Sequence, residues 1–302
     1  MGIVIRGLKT KDELEKFVQL LPTVFTKTPL KFFTSRFFND PYLRFCDVRV
    51  AEENGEFIST VTVFRRKMWW QGECIEFGAI GNVATVPEKR GLGLSSTLMK
   101  DAINLMKKLS FPLSVLFTGI NPFYEKFGYF TIPAHTAVIF PEADRKLKFS
   151  IRKFNNNDLG QVAELYEKFN RNLIGTLVRD LDYWQANLKF AEDDEIFLVA
   201  EDAGEIAAYL RMVPNHEKGD VWEFAYSDVE AFVDLLNYSA KMTEMKTACF
   251  IPNYFFENNL SAKVEYQPST LAMALVMDEA RFSEDEVKEK LKNYAFWWTD
   301  NF

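Results

Sequence analysis

Val83-Ala84-Thr85-Val86-Pro87-Glu88-Lys89-Arg90-Gly91-Leu92-Gly93-Leu94-Ser95-Ser96, continuing to Leu98-Met99, joins a strand to a helix through a turn that holds two glycines. The apolar run ends at Val86, and the helical pattern begins beyond Gly93 and runs to about Leu109. A helix N-terminus leaves several backbone N–H groups unpaired and carries partial positive charge. Glycines let that backbone approach a ligand with no Cβ in the way. Lys89 and Arg90 add cationic side chains beside it. The stretch therefore predicts a cradle for a pyrophosphate. It is not a Walker loop, which requires a terminal Gly-Lys-Ser/Thr, and it lacks the third glycine of a dinucleotide fingerprint.

Working outward, Cys74 to Val86 reads as one long strand leading into the turn. Leu113 to Phe117 is a further apolar strand, Asn121-Pro122 starts a short helix, and Tyr129 to Phe140 returns as strands. Toward the N-terminus, Ile3 to Arg6 is a short strand followed by a capped helical pattern through Leu21. Val48 to Glu52 and Phe57 to Phe64 flank Asn54-Gly55-Glu56, which is a hairpin signature.

The same order returns in the second half. Ile151-Arg152 closes a short strand, and Asn155 to Leu159 caps a helix through Phe169. Ile196 to Glu201 and Ile206 to Val213 flank Ala203-Gly204-Glu205. Repetition of a strand-helix-hairpin unit predicts two related domains. The copies diverge afterwards. Val221 to Tyr226 leads into a helix from Asp228 to about Met245 with no glycine-rich turn between them. Strands at Ala248–Ile251 and Leu271–Met277 follow. A charged helix, Ser283 to Tyr294, precedes an aromatic tail, Phe296-Trp297-Trp298-Thr299-Asp300-Asn301-Phe302. The expected division is 1–146, 147–278 and 279–302.

With 302 residues, 48% hydrophobic and 26% charged, the chain has the composition of a globular protein with a sizeable core. No apolar run approaches a membrane span, and the N-terminus does not read as a signal peptide. Three separated cysteines, Cys46, Cys74 and Cys249, form no disulfide framework, so a cytoplasmic setting is expected. Two histidines, His135 and His216, make a Cys/His metal site unexpected. Residues 1–148 hold 21 Lys+Arg against 15 Asp+Glu, and the remainder 15 against 28. The first half thus suits a polyanionic ligand and the acidic second half suits a cation, while the overall charge of −7 argues against generic nucleic-acid binding.

Two motifs carry a specific resemblance. Arg90, Gly91-Leu92, Gly93, Leu94, Ser95 resembles motif A of the Gcn5-related N-acetyltransferases, with Ser95 standing where that family has Gly or Ala. Asn121-Pro122-Phe123-Tyr124-Glu125-Lys126-Phe127-Gly128-Tyr129 resembles its motif B. The doubled arrangement is similar to the first two domains of the enhanced-intracellular-survival aminoglycoside acetyltransferases, without room for their third domain. This resemblance implies an α/β (α+β) fold of two tandem domains. Each would be a mixed, mostly antiparallel sheet flanked by helices, and the second would be degenerate.

The resemblance further implies acetyl-CoA as acyl donor, no metal, and direct transfer to an amine, either a cationic small molecule or a lysine- or amine-bearing peptide. Val83, Ala84, Thr85, Val86, Lys89, Arg90, Gly91, Leu92, Gly93, Leu94, Ser95, Ser96, Asn121, Phe123 and Tyr124 would hold the donor. Tyr124 would protonate the departing thiolate. Glu76, on the strand leading into the motif, and the terminal carboxylate of Phe302 are alternative bases. A noncatalytic acetyl-CoA sensor and a transferase of longer acyl groups are the competing readings. Oligomeric state is left open.

Overall fold

A computed structural model describes residues 2–142, 144–191, 193–215, 218–244, 247–250, 254, 256 and 260–300. In the first half, β1 (Val4–Gly7), α1 (Lys11–Val24), α2 (Leu30–Asn39), β2 (Val48–Glu53), β3 (Glu56–Trp70), β4 (Glu73–Thr85), α3 (Leu94–Lys108), β5 (Leu113–Phe117), α4 (Asn121–Glu125), β6 (Phe130–Thr131) and β7 (Ala134–Phe140) follow in order. In the second come β8 (Ser150–Lys153), α5 (Leu159–Asn170), β9 (Ile174–Leu177), α6 (Leu181–Lys189), β10 (Ile196–Asp202), β11 (Glu205–Asn215) and β12 (Lys218–Tyr226). Then come α7 (Val229–Thr243), β13 (Thr247–Phe250), β14 (Lys263–Ser269), β15 (Ala272–Val276) and α8 (Glu284–Lys290).

The strands form two mostly antiparallel sheets. The first runs β1-β2-β3-β4-β5-β15-β6, with β9 added on β3, and the second runs β14-β7-β13-β12-β11-β10-β8. Sheet membership does not follow the expected division at residue 146. β7 crosses into the second sheet and pairs with β13 and β14, while β15 returns to lie between β5 and β6. Alternating apolar residues told that these were strands, but not which partner edge they would meet.

The repeat is visible in the details. Arg6, at the end of β1, pairs with Glu13 at 2.8 Å and Glu52 at 2.6 Å. Arg152, at the end of β8, pairs with Asp158 at 2.7 Å and Glu201 at 2.8 Å. In each copy one arginine ties the start of the following helix to the end of the next strand. Both hairpins turn on a pair of positive-φ residues, Asn54-Gly55 and Ala203-Gly204, as two-residue turns require.

Both sheets are covered by helices. The apolar face of α1 (Leu14, Phe17, Val18, Leu21) and Phe33 and Phe37 of α2 bury one face of the first sheet. Leu98, Met99, Ala102 and Met106 of α3 bury the other. In the second domain, α5 and α7 share one core with Trp297 of the tail.

Candidate active site

β4 pairs in parallel with β5 only from Phe77↔Leu113 to Ile80↔Leu116. Beyond Ile80 it runs on to Thr85 along β3 alone, so the two strands part and leave a slot between them. Just there the β3–β4 register slips: Thr62 faces Gly81 but Thr60 faces Ala84, so β4 carries an extra residue. Asn82 takes φ 51° in this bulge, and its carbonyl accepts from Thr60 Oγ1 at 2.8 Å. A Gly-Asn pair inside a strand pattern is the signal that could have located the bulge.

The strand end is buttressed by hydroxyls. Thr85 Oγ1 lies 2.7 Å from both Ser59 Oγ and Ser95 Oγ. Ser59 Oγ donates to the Ala84 carbonyl at 2.7 Å. Ser95 therefore uses its side chain to fasten the first turn of α3 to β4, which an Ala or Gly at that position cannot do.

Gly91 and Gly93 have φ 80° and 74°, a conformation glycine adopts without the Cβ cost. A Cβ built on either would meet no atom within 4 Å, so open space lies in front of the turn. Gly93 is the N-cap of α3, and no side chain caps that end. The first N–H groups of α3 thus face open space, and such a helix start suits an anion such as a pyrophosphate. Arg90 is exposed and its Nε donates to the Thr85 carbonyl at 3.3 Å. Lys89 is held by Glu53 at 2.5 Å.

On the far side of the slot, α4 presents Tyr124. The ring is buried, packed edge-on to Phe123 (4.9 Å) and Tyr129 (6.2 Å), within the same core as Leu94, Leu98, Ile80 and Leu116. Burial pushes its hydroxyl up to about 12, opposed by a hydrogen bond with the Thr118 side chain. Asn121 Nδ2 donates to Thr131 Oγ1 at 2.8 Å and to the Thr270 carbonyl at 3.0 Å. Its amide thus ties α4 to the neighbouring strands.

The structure brings Val83 to Val86, Arg90 to Ser96, Phe123 and Tyr124 to one slot. It does not bring Glu76 there. Glu76 is exposed on the opposite end of β4, 3.6 Å from Lys67, and the nine residues to Thr85 span about 30 Å at ~3.3 Å per residue. Phe302 and His216 lie outside the described residues.

A feature the sequence reading missed is the cavity on the other face of the bulge. Asn82 lines it together with Phe32, Phe33, Arg36, Phe37, Asp40, Phe64, Arg66, Tyr183 and Phe190. Arg66 and Asp40 form a buried pair at 2.5 Å across its wall. Nothing in the alternation of β3 marked Arg66, which occupies an inward position usually apolar.

The second sheet repeats the geometry but not the site. β12 and β13 pair in parallel up to Val221↔Phe250, and a register slip at Arg211/Met212 again bulges the longer strand. Here the opening is filled by aromatic rings: Phe224 packs on Phe232 (4.5 Å), Trp297 (4.9 Å), Tyr254 (5.2 Å) and Phe256 (5.6 Å). Asp228 caps α7, its carboxylate accepting from the Glu230 N–H at 2.8 Å, and so occupies the end where a phosphate would sit.

A strand splayed from its parallel neighbour beside an uncapped, glycine-bearing helix start is the arrangement that the motif A resemblance implies. Residues 5–132 match the family model described as "Acetyltransferase (GNAT) domain". The match ends where the chain leaves the first sheet. The family supports acyl transfer from an acyl-CoA. No curated protein sequence matches the chain.

Among solved structures, a conserved protein from Enterococcus faecalis V583 described as a probable N-acyltransferase is 17% identical, with TM-score 0.74, 92% of this chain and 73% of that one covered. Eis1 from Mycobacterium abscessus is 15% identical (TM-score 0.67; 91% and 74% covered). Saccharomyces cerevisiae N-myristoyltransferase with bound myristoyl-CoA is 11% identical (TM-score 0.60; 91% and 79% covered). These likenesses show that the tandem GNAT fold extends over most of the chain.

Proposed function

We propose that the protein transfers the acetyl group of acetyl-CoA directly to a primary amine at the slot between β4 and β5. The observation that carries this reading is the meeting of three features at that slot: the uncapped start of α3, the unpartnered edge of β4 past Ile80, and the Tyr124 hydroxyl. The pyrophosphate sits on the α3 N-terminus, and the pantetheine arm runs into the slot as an added strand would. Backbone N–H groups of the splayed segment polarise the thioester oxygen. The neutral amine attacks the carbonyl carbon, and the tetrahedral intermediate collapses with cleavage of the C–S bond. The nitrogen gives up one proton to solvent, the sulfur takes one from Tyr124, and solvent returns a proton to the phenolate.

An acetyl donor is favoured over a longer chain by the tail. Phe296 and Trp298 pack on Phe117 at the end of β5, with centroids 4.3 and 6.2 Å away, which adds bulk beside the strand that borders the slot. Calorimetry with acetyl-CoA tests the reading together with thiol release over a panel of amines. Wild type should bind, Gly93→Glu should weaken binding at least 100-fold, and one or more amines should release thiol. Binding with no acceptor-dependent release would favour an acetyl-CoA sensor instead.

A further inference from the structure

The cavity beyond the bulge is built from six aromatic rings, a composition that normally welcomes an ammonium ion through cation–π attraction. Four of the six rings already face a guanidinium. Arg36 lies 3.5 Å from the centroid of Phe32 and 5.8 Å from that of Phe190. Arg66 lies 5.2 Å from Phe64 and 5.3 Å from Tyr183. Among the described lining residues Asp40 is the one carboxylate, and it is engaged: Oδ2 receives Arg66 Nη2 at 2.5 Å and Oδ1 the Tyr42 N–H at 2.9 Å. Arg66 is itself buried, so water screens it little and Asp40 is the partner that balances it.

A second cation entering this space would find four rings already faced by guanidinium groups and, among the described lining residues, no carboxylate left unengaged. An uncharged apolar group would meet Phe33, Phe37 and Phe64, all buried and apolar. The cavity is also narrow, about 60 Å³. Cavities that hold a benzene ring measure roughly 150 Å³, so this one suits a slender chain.

From the guanidinium-capped rings around Asn82 we infer that the acceptor is a primary amine carried on a slender, uncharged alkyl group, and that Arg66 excludes acceptors bearing a second cation. The inference rests on the acetyl-transfer reading for its orientation, with the amine at the bulge and its substituent in the cavity. It departs from the cationic acceptor that the acidic second half suggested, because that charge lies elsewhere than on this wall.

Calorimetry on the protein loaded with CoA tests the inference with n-butylamine and 1,4-diaminobutane, which differ by one terminal ammonium. The monoamine should bind at least tenfold more tightly. Equal or tighter binding of the diamine overturns the inference, as does failure of both to bind. Arg66→Gln combined with Asp40→Asn removes the ion pair without stranding either charge, and should reduce the preference to within threefold. A preference that survives in this variant, shown folded by its circular dichroism and melting curve, also overturns the assignment to Arg66. Thiol release from acetyl-CoA, run alongside, reports separately on the transfer reading. Binding selectivity without release would leave the cavity assignment standing and remove the chemistry.

Discussion

At the scale of single residues, Tyr124 is the position where burial and chemistry meet. Its hydroxyl is raised to about 12 mainly by desolvation, so it remains protonated through the working range. A proton donor to a leaving thiolate must hold its proton until sulfur carries charge. Tyr124→Phe should lower kcat for thiol release about 100-fold while leaving acetyl-CoA affinity within threefold, a loss in the usual range for a general acid. The pH dependence follows with a defined sign. An alkylamine acceptor titrates near 10, so kcat/KM should rise about tenfold per pH unit below that, as the neutral amine grows. No fall from Tyr124 should appear before about pH 12. A bell-shaped profile with an alkaline limb below pH 10 would contradict this assignment.

The turn at Gly91 and Gly93 was legible at this scale because glycines in sequence report backbone freedom directly. Glu76 was misleading because a polar residue on the right strand says nothing about which end of that strand holds the reaction. The distance along β4 decides it. Arg66 and Asp40 were not legible at all, since 26 residues separate them and only the packing of α2 on β3 brings them together.

At the scale of elements, the two copies use one design with different endings. Asn155 and Asp158 form a capping box ahead of α5, and Asp158 also binds Arg152 through both oxygens at 2.7 and 2.9 Å. The Arg152 hydrogen bonds, opposed by burial and helped by the Asn155 N–H, hold the Asp158 carboxyl below its ordinary range. A depressed carboxylate stabilises the fold above its unfolded value near 3.9, and that contribution disappears as pH falls through the folded value. Asp158→Ala should therefore cost about 1–2 kcal/mol at pH 7, the usual size for a lost cap. Urea unfolding should show the difference from wild type shrinking below pH 4.

The missing glycines ahead of α7 go with a helix start that Asp228 caps. The filling of the second opening was not legible, because Tyr254, Phe256 and Trp297 come from segments that sequence order places far from β12. Short apolar strands such as β9, and the helices α2 and α6, also escaped notice. Aromatic clusters such as Phe32-Phe33 and Phe37-Phe38 in α2 blur the helical period.

At the scale of the whole molecule, the tail joins the two halves by alternation. Phe296 and Trp298 pack on Phe117 of the first sheet, while Trp297 between them is fully buried in the second core. Its Nε1 donates to Asn170 Oδ1 at 2.7 Å. Beyond it, Asp300 meets Arg179, wholly buried, which also binds Glu223 at 2.7 Å. Trp297→Ala should cost about 3–5 kcal/mol, as large aromatic deletions in cores do. Chemical denaturation followed by tryptophan fluorescence and by circular dichroism should show one coincident, shifted transition. Two separated transitions would mean that the halves are energetically independent.

The exchange of β7 and β15 sets a timetable for synthesis. β15 fills the position between β5 and β6, so a ribosome that has made residues 1–150 has made every part of the proposed donor site but not the strand that closes its sheet. The nascent first domain must wait, with the β5 edge bare, until residues 272–276 have left the exit tunnel. Competence to bind the donor would then appear late and abruptly, and a chain broken off in its second half would be released without it.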